Sequence, residues 1–226
     1  MFNRALSRSV EDYLKVIYGL SDGGAAASTS AIAELLDIQP ASVTGMVKRM
    51  AESGLLEHVP YKGVRLTDSG NREALRVLRR HRVLETYLCE KLGFPWDDVH
   101  EEAERLEHAA SDQLIEQMAK ALGFPSHDPH GAPIPTPSGD IEVTEVTTLA
   151  EARAGEKVRI RAVRDEDPAA LRSMASVGLV PGAKLLIRPR SASRDTVEAS
   201  VDGDEHHVQS IRDELARHIF VVPDVD

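Results

Sequence analysis

Apolar residues recur with helical spacing along the first half of the chain and with strand spacing along its last third. In SVEDYLKVIYGL, Val10, Leu14, Ile17 and Leu20 fall on one face, with Ser9 as N-cap. DGGAAAS follows as a loop, and TSAIAELLDI predicts a short helix with Ile32, Leu35 and Leu36 inward. QPASVTGMVKRMAESGLL places Pro40 near a helix start and Gly54 just past its end, with Val43, Met46, Val47 and Met50 as the buried face. Two short helices joined by a tight turn form a helix-turn-helix pattern. LLEHVPYKGVRLT holds two β-prone runs around Tyr61-Lys62-Gly63, which predicts a hairpin. A long helix runs from a cap at Thr67 or Asp68 to Gly93. Two more helices follow, over 98–109 and within SDQLIEQMAKALG, the second ended by Gly123.

Pro and Gly then break the periodicity. FPSHDPHGAPIPTPSGD, residues 124–140, predicts an ordered loop or linker. Beyond it EKVRIRAV alternates, and AKLLIRPR, TVEASVDG and the terminal HIFVVP read as strands. Between them DPAALRSMASVG predicts a short helix with Asp167 as cap and Pro168 at its first position. The expected fold class is mainly α with a C-terminal β domain, the latter a small β barrel.

Composition narrows the setting. Aromatic residues are few, so the core is built from Leu, Val, Ile and Ala. No apolar run approaches the roughly 20 residues that span a bilayer, and the N-terminus lacks the apolar stretch of a signal peptide. The single cysteine, Cys89, excludes an internal disulfide. These features imply a cytoplasmic protein with no membrane role. The net charge of −10 argues against general nucleic-acid binding, but the charge is uneven. Residues 1–82 hold 12 Lys and Arg against 9 Asp and Glu, whereas residues 83–226 hold 15 against 28. That asymmetry suits one nucleic-acid-facing module on an acidic body.

In a helix-turn-helix the second helix meets base edges in the major groove with its N-terminal residues. Here those are Gln39, Ala41, Ser42 and Thr44, with Lys48 and Arg49 further along. Gln pairs with adenine, Ser and Thr are adaptable, and Ala or the Thr methyl can touch a thymine methyl. Lys62 and Arg65 sit on the hairpin, where a wing would hold phosphates as Lys48 and Arg49 do. The plain alternative is a helical core with a solvated face. The hairpin, the LTDSG cap after it and the local positive charge favour DNA.

VHEEAERLEHAASD carries the second chemical signal. His100, Glu104, Glu107 and His108 stand at offsets 0, 4, 7 and 8, which one helix would align in a stripe. Val99, Ala103, Leu106 and Ala110 supply the adjacent apolar face, so the stripe can be half-buried. His81 and Glu85 stand i, i+4 on the preceding long helix, and the first helix adds Glu11 and Asp12. Carboxylates and imidazoles without a thiolate suit Mn²⁺ or Fe²⁺ better than structural zinc. A solvated charged face is the plain alternative, against which stand two successive helices with matching pairs. Enzymatic motifs are missing: HEEAE is not H-E-x-x-H, ERLEH is not E-x-x-H, and no G-x-S-x-G, P-loop or G-x-G-x-x-G occurs. Cys89 lies in a helical pattern and reads as packing. The chain reads as a regulator and not as an enzyme. A metal-dependent hydrolase would need a general base that the spacing does not offer.

VEDYLKVIY, IAELLDIQPASVTGMVKRMAESGLL, RRHRVLE, VHEEAERLEH, DPHGAPIP and SVGLVPGAKL together resemble the diphtheria toxin repressor family of metal-dependent transcriptional regulators, in its manganese-sensing branch. The resemblance covers essentially the whole chain. It implies a winged helix-turn-helix DNA-binding domain over 1–72, a helical metal-binding and dimerisation domain over 73–140, and an SH3-like (FeoA-like) domain over 141–226. It further implies a homodimer that binds palindromic double-stranded operator DNA when metal-loaded and controls metal-homeostasis genes. The family's primary site falls on Asp12, Glu104, Glu107 and His108, and its ancillary site on His81, Glu85 and His100. Iron-sensing members typically carry Cys at the position of Glu104 and Met at that of Asp12. Hard carboxylates at both places match Mn²⁺, with Fe²⁺ as the alternative. The chain departs from short manganese sensors at Lys15, where they bring a second carboxylate. The SH3-like ligands of iron-type members fall on Glu166 or Asp167, and on Ala170. His206 and His207 read as an exposed strand end. A winged-helix adaptor with a structural metal is the remaining alternative.

Overall fold

The computed structural model describes residues 6–21, 25–164, 167–189, 195–203 and 208–224. These fall into two units. The first comprises Met1–His81, Glu107–Ala110 and Pro135–Ile141, and the second Arg82–Leu106, Ser111–Ile134 and Glu142–Asp226. Glu166, His206 and His207 lie outside the described residues.

The first unit opens with α1 (Arg8–Leu20), α2 (Thr29–Leu35) and α3 (Pro40–Glu52). Leu14 and Ile17 of α1 are buried in one apolar cluster with Ile32, Val43, Val47 and Met50, as the spacing requires. The N-cap of α1 is Ser7 and not Ser9. The buried stripe of α2 is centred on Ile32 and Ala33, about 100° apart on the helix, so Leu35 turns outward instead of joining the core. Ser28 Oγ accepts from the Ala31 N–H and starts this helix. Pro40 occupies the first turn of α3.

The hairpin pairs β1 (Leu56–Val59) with β2 (Gly63–Leu66), antiparallel, with Leu56 opposite Leu66. It is fastened to the loop before α2, where the Ala27 N–H donates to Val64 O and the Val64 N–H to Ala27 O. Gly63 makes this approach possible. Its φ is +122°, and a Cβ there would lie 2.0 Å from Ala27 O. The chain then enters α4 (Asp68–Leu92), capped by Thr67 Oγ1, which accepts from the Gly70 N–H. The N-terminal half of α4 belongs to the first unit and the rest to the second.

The second unit continues with α5 (Val99–Leu106) and α6 (Asp112–Ala121). The stripe expected on one helix is interrupted here. Ser111 is extended and caps α6, accepting from the Leu114 N–H, so α5 has to end before it. Glu107 and His108 therefore stand in the turn after α5 and belong to the first unit. Leu106, expected inward, is partly exposed.

Downstream come β3 (Thr147–Thr148), β4 (Lys157–Val163), α7 (Pro168–Ser176), β5 (Lys184–Ile187), β6 (Thr196–Val201), β7 (Val208–Arg212), α8 (Asp213–Ala216) and β8 (Ile219–Pro223). The strands form one antiparallel sheet in the order β3-β8-β4-β5-β6-β7. The barrel expected from the sequence is thus an open sheet. Its edges are a two-residue β3, which pairs with β8, and β7, which pairs with β6; no pairing among the described residues joins them. Leu149, Ile160, Leu171, Met174, Leu179 and Ile187 fill the core. Asp167 caps α7 through Oδ1, which accepts from the Ala169 and Ala170 N–H groups. Among the described residues no helix is long and apolar enough to cross a membrane.

Candidate metal centre

In the first unit, α1 and the turn after α5 bring Asp12, Glu107 and His108 together. One donor atom from each lies within 4.8 Å of the others. His108 Nδ1 donates to Glu11 Oε2 at 2.6 Å, so Nε2 carries the lone pair of the neutral ring. That Nε2 is 2.8 Å from Asp12 Oδ1 and 3.3 Å from Glu107 Oε1. It is buried, yet aligned with neither for a hydrogen bond. Glu11 is itself held by an ion pair with Arg80 of α4. A carboxylate that orients an imidazole whose other nitrogen faces two carboxylates is the arrangement metal-binding histidines use.

Glu107 is the most enclosed member, with no exposed surface. Lys15 Nζ donates to its Oε1 at 2.8 Å, and His81 Nδ1 to its Oε2 at 2.6 Å. Burial pushes the Glu107 carboxyl pKa up, but the His81 hydrogen bond and the Lys15 charge prevail and hold it below the usual carboxylate range. His81 Nδ1 is thus engaged with Glu107.

The second unit holds the rest of the expected ligands. His100 Nδ1 donates to Glu85 Oε1 at 3.2 Å, and His100 Nε2 lies 3.7 Å from Glu104 Oε1. Glu85 also belongs to a group the sequence reading did not include. Glu85, Asp128 and His130 are all buried, with one donor atom each within 4.8 Å of the others. Asp128 Oδ1 accepts from the His130 and Ala132 N–H groups, and its Oδ2 lies 3.5 Å from Arg82 Nε. His130 Nε2 donates to the Trp96 carbonyl at 2.7 Å, and its ring stacks on Trp96 with centroids 5.4 Å apart. Nδ1, which then faces Glu85 Oε2 at 3.9 Å, carries the lone pair of the neutral ring. Gly131 lets this loop approach β4. Its φ is +87°, and a Cβ would stand 2.1 Å from Arg161 O, beside the hydrogen bond from the Val163 N–H to His130 O.

The two buried carboxylates need positive charge close by, and Arg82 supplies one such charge, to Asp128. Both groups fit a divalent cation that prefers oxygen and imidazole donors. The signal for Asp128 and His130 was present in HDPHGAPIP, but that loop has no periodicity from which to infer facing.

The expected DNA contacts lie in the first unit. Gln39, Ala41, Ser42, Thr44, Lys48 and Arg49 are exposed at and along α3, and Lys62 and Arg65 are exposed on the hairpin. Thr44 Oγ1 donates to Pro40 O, and Arg65 forms a long 3.8 Å ion pair with Glu57.

Three family models match the chain. The iron dependent repressor N-terminal DNA binding domain matches residues 5–64. The iron dependent repressor metal binding and dimerisation domain matches 67–136, and the FeoA domain 147–223. The iron-dependent repressor IdeR of Mycobacterium tuberculosis is 31% identical over 191 residues, covering 79% of this chain and 83% of that protein. The transcriptional regulator MntR of Oceanobacillus iheyensis is 34% identical over 116 residues, covering 51% of this chain and 78% of that protein. A solved manganese-dependent transcriptional repressor in complex with manganese has a TM-score of 0.87 and 36% identity, covering 95% of this chain and 99% of that one.

Proposed function

The chain belongs to the diphtheria toxin repressor family of iron- and manganese-dependent transcriptional repressors, and from that premise we propose that it is a manganese-responsive repressor. It binds palindromic operator DNA as a homodimer when metal-loaded and controls metal-homeostasis genes in the cytoplasm. The observation that carries this reading is the buried Nε2 of His108, aimed at Asp12 and Glu107 in a donor set without sulfur. Asp12, Glu107 and His108 would hold one ion, and Glu85, Asp128 and His130 a second. The same donors accept Fe²⁺, and the similarity to an iron-dependent repressor keeps that metal as the second reading.

A divalent ion supplies the charge that draws the carboxylates together. The chain's own residues convert that into DNA binding. Asp12 lies on α1, whose opposite face places Leu14 and Ile17 in the cluster that includes Val43 and Val47 of α3. The position of Asp12 is thereby linked to the helix bearing Gln39, Ser42 and Thr44 through packed side chains, which do not deform gradually. A ligand shifts such an equilibrium only by its difference in affinity for the two states. The spacing of two recognition helices is the quantity DNA selects.

The test is capture of genomic promoter fragments on the purified protein with Mn²⁺, with Fe²⁺ under anaerobic conditions, and with chelator. His108→Ala serves as control. Specific fragments are expected with metal alone and are lost in the variant. Equal capture with chelator would mean that the carboxylate–histidine groups serve structure only, as in a winged-helix adaptor.

A further inference from the structure

The first cluster already contains a cation of its own. Lys15 stands one turn after Glu11 and Asp12 on α1, and its Nζ is 2.8 Å from Glu107 Oε1. That is the oxygen of Glu107 that lies 3.3 Å from His108 Nε2. The other oxygen is taken by His81. An ion held by Asp12, His108 and Glu107 would therefore meet Lys15 at Glu107 Oε1.

We propose that Lys15 is a tethered competitor for the metal: it neutralises Glu107 in the metal-free chain, must yield that carboxylate when the ion enters, and so sets the metal concentration at which the repressor loads. The inference rests on Asp12, Glu107 and His108 forming the metal site.

Three observations support exchange. Glu107 is fully buried, and a buried carboxylate needs a counter-charge when no metal is bound. Lys15 itself is only partly enclosed, with 17% of its side chain exposed, so its flexible stem can carry the ammonium to water without unfolding α1. Without metal, the carboxylates of Glu11, Asp12 and Glu107 face two fixed cations, Arg80 and Lys15, with the imidazoles of His81 and His108 beside them. A dication added while Lys15 stays in place meets like charge at contact distance inside a poorly solvated site. Release of Lys15 removes that repulsion.

The experiment uses the full chain and three substitutions. Lys15→Gln and Lys15→Met remove the charge, the second keeping much of the stem. Lys15→Arg keeps the charge. Mn²⁺ binding is followed by the electron paramagnetic resonance of free Mn²⁺, with Asp12→Ala added in each background to identify the site affected. Thermal unfolding of each metal-free protein is the second readout. The neutral variants are expected to tighten Mn²⁺ binding at the Asp12-dependent site by roughly tenfold or more, with a lower metal-free Tm. Lys15→Arg stays near wild type. If a neutral variant folds and lowers the metal-free Tm, but binds Mn²⁺ no more tightly than wild type, Lys15 is a structural ion pair and the proposal is overturned. If the wild-type chain shows no Mn²⁺ binding that Asp12→Ala removes, the metal-site assignment fails first and takes the proposal with it.

Discussion

The two carboxylate–histidine clusters differ in what surrounds them. The cluster of Asp12, Glu107 and His108 is held by side chains: Lys15 and His81 on Glu107, and Glu11 on His108. The cluster of Glu85, Asp128 and His130 is held largely by backbone. Two N–H groups fix Asp128, the Trp96 carbonyl fixes His130, and the Val163 N–H anchors the loop to β4. Side-chain ion pairs can be exchanged for a metal, whereas backbone hydrogen bonds persist with or without one. On the proposed function, the first cluster is the one that responds to metal and the second the one that stands ready. Asp12 of the first stands on α1 beside Leu14 and Ile17, which are buried with Val43 and Val47 of α3, and no member of the second stands on α1.

The largest effect should follow from separating the two clusters by mutation. Asp12→Asn removes the carboxylate charge from α1 with little change in volume. Metal-dependent DNA binding is expected to fall to the level of chelator-treated protein, a loss of roughly 10³-fold in affinity for a specific promoter fragment. Fluorescence anisotropy of the labelled fragment measures it. Glu85→Gln should cost less, because no residue of that cluster lies on α1. Equal losses in the two variants would erase the distinction between a responsive and a standing site.

Much of this division could be read in the sequence, but not all. The apolar period of α1 and α3, Pro40 at a helix start and Asp167 as a cap were legible because each is a local rule. The family resemblance puts Asp12, Glu104, Glu107 and His108 in one site; Asp12, Glu107 and His108 stand together, and Glu104 lies beside His100 instead. The stripe from His100 to His108 was misread, because helical periodicity says nothing about where a helix must stop, and Ser111 stops this one. Asp128 and His130 were missed because a Pro- and Gly-rich loop has no period. Closure of the barrel was expected from strand content, yet it depends on edge pairing between distant strands, which alternation cannot report. The sequence marked Lys15 only as a departure from a pattern. Its ion pair with Glu107 depends on the turn after α5 reaching α1.

An intermediate effect should come from the backbone that readies the second cluster. Gly131→Ala adds a Cβ at 2.1 Å from Arg161 O in a left-handed conformation. The loop carrying Asp128 and His130 must then move off β4. Thermal or urea unfolding is expected to show a loss of about 2–3 kcal/mol. Mn²⁺ binding at the Asp12-dependent site should be unchanged. A fall in binding at that site would mean the two clusters are not independent.

The smallest expected effect is also the most specific to the second cluster. Cys89 is half-buried on the same helix as Glu85, and its thiol pKa is pushed up to about 12. Burial is the main cause, followed by the negative charges of Glu85 and Asp128, with smaller shares from Glu90 and Asp97. The thiolate is the reactive form, so alkylation at pH 8 should be slow. Any positive charge delivered to Glu85 and Asp128 cancels part of the field that keeps the proton on sulfur. Alkylation followed by mass spectrometry should therefore quicken by a few-fold, roughly, when Mn²⁺ is added. Glu85→Gln should quicken it modestly without metal, since one of the charges is gone. Asp12→Asn should leave the Mn²⁺ response intact, because the charges that chiefly raise this thiol's pKa are Glu85, Asp128, Glu90 and Asp97. A response that disappears in Asp12→Asn would place the reporting ion in the first cluster. The buried triad of the second would then be an ion-free network held by Arg82 and backbone hydrogen bonds.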